Sequence, residues 1–203
     1  MKVKKKNFAS FNQSQAFKQL NISRLLEWQI ETQPVKPSEF FAQRLARLKR
    51  FDLRSSEKSK ELLIDAICEE ALEGFEHLKI WKGSGIESDT LCGSPDYIVA
   101  ENKDYLDAPL LCIVEAKRDD FTQGLAQCLV EMQTCQWNNQ QIGKTINVFG
   151  IVTNGEGWKF YKLTSTSEVY ETLLYTILDM EKLLGTLHYI FQQCVQNLGK
   201  ADN

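Results

Sequence analysis

An apolar run that ends in paired charges constrains this chain more than any other feature. Leu110-Leu111-Cys112-Ile113-Val114 reads as a buried strand, and it runs directly into Glu115-Ala116-Lys117. Side chains alternate between the faces of a strand, so Glu115 and Lys117 point one way and Ala116 the other. Upstream, Gly93-Ser94-Pro95-Asp96 leads into Tyr97-Ile98-Val99, a second apolar run. If the two runs pair as a hairpin, Asp96 reaches the same patch. Two carboxylates beside one lysine make a site for a hard cation, because Mg²⁺ prefers oxygen ligands and retains several waters. The plain alternative is a Glu115–Lys117 pair on an exposed strand end, where such a pair contributes little.

Helical spacing frames these strands. A basic stretch begins with Ser38 and carries Phe40, Phe41, Leu45 and Leu48 at helical intervals, with Arg44, Arg47, Lys49 and Arg50 on the other side. Ser55-Ser56-Glu57 opens a helix to about Phe75, with Leu63, Ile64, Ile67, Ala71 and Phe75 on one face. Glu69 and Glu73 fall opposite, and Glu70 lies at the edge of the apolar face. Asp120-Phe121-Thr122-Gln123 fits a capped helix start, with Phe121, Leu125, Leu129 and Met132 as its stripe to about Gln136 and Gln127 pointing away. Residues 146–153 read as a buried strand, Asn154-Gly155 as a turn, and residues 157–163 as its hairpin partner. Residues 172–198 read as a closing amphipathic helix or helix pair, and residues 1–12 as a loose basic end.

Charge is divided unevenly. Residues 1–60 hold 14 Lys/Arg and 5 Asp/Glu, a balance of +9, and the remainder holds 10 and 22, a balance of −12. A basic segment on an acidic body either contacts nucleic acid or folds back on acidic surface. Two units are therefore expected, a basic helical extension over 1–54 and an α/β core with a C-terminal helix over 55–203. The six cysteines form no CxxC pair and the chain has two histidines, which argues against structural zinc. Cys68, Cys112 and Cys128 sit in apolar patterns and read as core residues. No apolar run approaches the roughly 20 residues of a membrane span. The basic start is not followed by a signal core, so a cytoplasmic location is expected.

Pro95-Asp96 followed by Glu115-Ala116-Lys117 resembles the PD-(D/E)XK nuclease superfamily over roughly residues 56–163. The Val152-Thr153-Asn154-Gly155 turn followed by Trp158 is similar to a hairpin in the N-terminal nuclease domains of type I restriction motor subunits. The resemblance implies a restriction-endonuclease-like mixed β-sheet flanked by helices, and metal-dependent hydrolysis of phosphodiester bonds. It implies Mg²⁺ or Mn²⁺ held by Asp96, Glu115 and the Ala116 carbonyl, with Glu70 as the first-helix acid. Lys117 would orient or deprotonate water, or stabilise the transition state, and Gln127 would lie near the substrate. Nucleic acid, with DNA foremost, is the implied partner, and a homodimer the implied assembly. A nuclease fold that binds nucleic acid or a protein without cutting is the alternative.

Overall fold

The computed structural model describes residues 4–199. Its strands are β1 Lys6–Asn7, β2 Leu26–Glu27, β3 Leu78–Lys82, β4 Ile86–Glu87, β5 Leu91–Gly93, β6 Tyr97–Glu101, β7 Leu110–Ala116, β8 Val148–Thr153, β9 Gly157–Leu163, β10 Val169–Glu171 and β11 Tyr175–Thr176. Its helices are α1 Gln13–Leu20, α2 Glu39–Leu48, α3 Glu57–Ala71, α4 Phe121–Gln141 and α5 Met180–Leu198. The result is an α/β fold with a mixed sheet between helical layers.

The large sheet runs β2-β10-β9-β8-β7-β6-β3, with β11 added to β9, while β1-β5-β4 form a small second sheet. β7 and β8 pair in parallel at the centre. Every residue of both is buried, as expected of strands covered on both faces. A parallel neighbour requires a crossover, and α4 supplies it. Alternation sorts the side chains into two cores. Cys112, Val114, Phe149 and Ile151 pack toward the α3 and α5 side. Ile113, Val148 and Val152 pack with Leu125, Cys128 and Leu129 of α4.

Local chemistry sets the helix ends. Ser38 accepts from the Phe41 N–H, and Ser56 and Ser59 form a reciprocal cap at α3. Asp120 accepts from the Gln123 N–H, but the Gln123 side chain does not return the bond; it donates to the Phe11 carbonyl at 3.1 Å. α4 runs past the expected end at Gln136. Fully buried Asn139 takes over from the apolar stripe, bonding both the N–H and the carbonyl of Leu110 at 2.7 and 2.8 Å.

Three expectations are corrected. Residues 4–12 are not loose: Lys6–Asn7 pair with Leu91–Cys92, and Phe8 and Phe11 are buried; Met1 to Val3 lie outside the described residues. The C-terminal helix begins at Met180, because Tyr175–Thr176 pair with the edge of β9 and leave Leu173 and Leu174 exposed. No seam falls at residue 54 either. β2 pairs with β10, Trp28, Ile30 and Phe41 join one core, and Phe8, Phe11, Ala16 and Leu20 join the other. No helix among the described residues is long and apolar enough to cross a membrane.

The β8–α4 contact is a close joint. A Cβ on Gly150 would fall within contact distance of Met132 Sδ and Cys128 Sγ. Gly150→Ala is expected to destabilise the fold by about 1–3 kcal/mol through overpacking, read as a lower midpoint in urea unfolding.

Candidate functional site

The charges lie where the pairing of β7 with its two neighbours runs out. β6 and β7 pair antiparallel up to Tyr97 opposite Val114, which sets Asp96 beside Glu115 one step further on. Asp96 Oδ2 accepts the Ala116 N–H at 2.8 Å. On the other side the Lys117 N–H bonds the Thr153 carbonyl at 2.8 Å, so β8 holds the strand straight through the lysine. Alternation then turns Glu115 and Lys117 toward α4, on the same face as Ile113. Gly124 makes room there: a Cβ would press on Val152 and on the Lys117 side-chain stem.

Glu115 is 1% exposed, and its Oε2 lies 2.8 Å from Lys117 Nζ. The pair is therefore not the exposed strand-end pair of the plain alternative. The Glu57 carboxylate is the second anion near Lys117, at 3.9 Å. Burial alone would depress the lysine's pKa, but Glu115, Asp96 and Glu57 outweigh it and hold it above the ordinary value. Lys117 is thus a fixed cation. Burial also raises Asp96, against the opposing pull of the Ala116 N–H and Lys117. Burial and the Asp96 charge raise Glu115.

Glu131, which carries no motif signal, is part of the same cluster. It is fully buried on α4, and neither of its oxygens meets an N–H or O–H donor. Burial first, then the Glu115 charge and a shared hydrogen bond, push its pKa well above the ordinary carboxylate value. Of the two carboxyls Glu131 is therefore the one raised further, its burial and the neighbouring Glu115 charge both favouring the neutral form. The helical signal was available in principle: Glu131 falls seven residues after Gly124, on one face of α4.

The remaining candidates divide. Gln127 is half-buried on α4 one turn before Glu131, and its side chain makes no hydrogen bond among the described residues. Glu70 is not at the cluster. Its carboxylate accepts from the Ser38 N–H and hydroxyl at 2.6 and 2.8 Å, securing the start of α2. The acids that α3 does turn this way are Glu57, Glu61 and Asp65, spaced at i, i+4 and i+8. Glu61 is close enough to raise Asp96. Lys82 holds Glu61 at 3.1 Å and Asp65 at 3.0 Å. Glu70 lies nine residues beyond Glu61, about 13 Å along the helix and on its opposite face. Lys60, buried on α3, donates to the Arg118 carbonyl at 2.7 Å and fixes the loop that follows Lys117.

Among the described residues, no three His, Cys, Asp or Glu side chains stand close enough together to enclose a metal ion as they are. The donor set still fits a hard cation: Asp96, Glu115 and the Ala116 backbone are all oxygen donors. Glu115 Oε2 also lacks a well-aligned hydrogen bond despite its burial. A thiol site does not fit, since burial raises Cys128 and Cys135 well above the ordinary value. Compared with protein-family models and with curated proteins, the chain matches none.

Glu131 yields a pH signature. Its folded pKa lies above the ordinary value of 4.5, so the folded chain binds this proton more tightly than the unfolded chain. The fold therefore loses stability as pH rises from about 4.5 through the raised value. Glu131→Gln is expected to keep the hydrogen bond to Glu115 and remove this loss. Thermal unfolding across that range should show wild type falling relative to the variant, and parallel curves would contradict the assignment.

Proposed function

We propose that the chain is a metal-dependent nuclease that hydrolyses phosphodiester bonds at the Asp96–Glu115–Lys117 cluster, within a restriction-endonuclease-like fold. The observation that carries this reading is the buried Glu115 carboxylate beside Lys117, with Asp96 bonded to the Ala116 N–H between them. An isolated buried charge is costly, and a strand end that keeps two acids and one lysine together is suited to a cation and an anionic substrate. The topology also supports it. β3, β6 and β7 form an antiparallel meander, α4 crosses to parallel β8, and α3 covers the opposite face.

In this reading Asp96 and Glu115 hold Mg²⁺ or Mn²⁺, with the Ala116 carbonyl as a further oxygen. The bound cation supplies charge for the phosphate and a lowered pKa for water. Lys117 stays protonated beside its three carboxylates, so it acts as a fixed positive charge toward the phosphate rather than as a base. Glu131, favoured in its neutral form, places a proton toward the buried Glu115 carboxylate and steadies it. Lys60 keeps the loop after Lys117 in place. DNA is the substrate placed first.

A second reading, a nuclease-fold module that binds without cutting, is favoured by one observation: Glu115 and Lys117 already satisfy each other at 2.8 Å. Cleavage separates the two. Wild type is expected to cut mixed nucleic-acid substrates only with Mg²⁺ or Mn²⁺. Asp96→Ala and Lys117→Ala are expected to lose about 10²-fold or more in rate, the scale of losing one preorganised electrostatic group. Glu70→Ala should retain cutting and lose about 1 kcal/mol of stability through the start of α2. Cutting that survives in Asp96→Ala and Lys117→Ala would overturn the site. A folded wild type that binds but never cuts would establish the second reading.

A further inference from the structure

The stretch joining α2 to α3 presents an unusual surface beside the cluster. Phe40 is 63% and Phe51 is 58% exposed. Between and after them lie Arg47, Lys49, Arg50 and Lys58, all exposed. None of the side chains of these four bases makes an ion pair, hydrogen bond or ring contact among the described residues. The helical repeat of α2 sets Phe40, Gln43 and Arg47 on one outer face, and Arg50 and Phe51 follow in the turn that closes the helix, their N–H groups bonding the Arg47 and Leu48 carbonyls.

The acids in this stretch are already engaged or set apart. Asp52 turns back onto the Arg54 N–H at 3.0 Å. Glu39 opens α2 beside Phe40, at the opposite end of the helix from Arg50, and accepts from the Gln43 amide at 3.5 Å. Arg54 pairs with Glu156 of the β8–β9 turn at 3.4 Å, and this ties the stretch to the sheet end that carries the cluster. Five residues separate Phe51 from Glu57, whose carboxylate is 3.9 Å from Lys117 Nζ. Even fully extended, that chain spans only about 20 Å, so one short oligonucleotide can touch both places.

Single exposed apolar residues are ordinary. Two exposed phenyl rings bracketing free guanidinium and ammonium groups are a different arrangement. Positive groups neutralise phosphates, and rings give unpaired bases a face to stack on. A duplex shows only base edges in its grooves, so it would use the charges and leave the rings idle. We propose that this α2–α3 surface binds single-stranded nucleic acid, with Phe40 and Phe51 stacking on unpaired bases and Arg47, Lys49, Arg50 and Lys58 taking successive phosphates. The inference rests on the phosphodiester reading of the neighbouring cluster and names the form of strand delivered to it.

The test is binding in EDTA, where cleavage does not interfere. A fluorescein-labelled 20-nucleotide strand of mixed sequence is titrated as DNA, as RNA and as a DNA duplex with wild type, Phe40→Ala, Phe51→Ala, Phe51→Trp and Arg50→Ala. Single strands are expected to bind at least tenfold tighter than the duplex, and the DNA and RNA arms report which is preferred. Phe51→Ala should weaken single-strand binding at least fivefold with little change for the duplex, Phe51→Trp should restore it, and Arg50→Ala should reduce the salt dependence. Equal affinity for duplex and single strand, or no effect at Phe40 and Phe51, would overturn the proposal. Mg²⁺-dependent cutting alongside unchanged Phe51→Ala binding would defeat this surface and leave the nuclease reading standing. Single-strand binding that depends on Phe51 in a chain that does not cut would do the reverse.

Discussion

The structure is organised around a carboxylate where a carboxylate is expensive. Glu115 lies near the end of a fully buried central strand with almost no exposure to water. It is tolerable there because Lys117 supplies an opposite charge at 2.8 Å and the neighbouring Glu131 carboxyl is pushed toward its neutral form by burial and by the Glu115 charge. Neither compensation is local in the sense of a surface ion pair. The lysine is positioned by β8 through Thr153 and by the bare backbone of Gly124, and the acid arrives on a helix that must first cross the sheet. Removing one member of such a group leaves an uncompensated buried charge, and that loss exceeds what the pair contributes when intact.

That requirement explains why α4 is the central helix. It makes the crossover that lets β7 and β8 run parallel, packs Cys128 and Met132 onto Gly150, brings Glu131 under Glu115, and ends by bonding Asn139 to the start of β7. The helix thus fastens both ends of the strand whose terminus carries the chemistry. On the opposite face α3 contributes acids rather than hydrogen bonds to the strand. Glu57 and Glu61 shape the field that Asp96 and Lys117 experience, and Lys82 keeps Glu61 and Asp65 from repelling each other unchecked.

Much of this was legible in the sequence where a local pattern had one physical meaning. The apolar run into Glu115, the Ser38 and Ser56 starts and the Asn154-Gly155 turn are of that kind, and the structure has a strand, two capped helices and a hairpin there. Glu70 was not legible, because the edge of an apolar face is also where a side chain reaches a neighbouring helix start, and Ser38 lies 32 residues away in sequence. Glu131 was missed because a lone glutamate in a polar helix looks solvated until the sheet beneath it is known. The short strands β1 and β2 were invisible for the same reason. Two residues carry no periodicity, and their pairing depends wholly on Leu91–Cys92 and Tyr170–Glu171.

The central claim is that this buried cluster is a cation site. The most direct measurement is a Mn²⁺ titration of wild type and Asp96→Asn, followed by electron paramagnetic resonance, with circular dichroism confirming that both are folded. A bound-ion signal is expected in wild type and at least about tenfold weaker binding in the variant, since an oxygen ligand has lost its charge. Equal binding in the two proteins, or none in either, would contradict it.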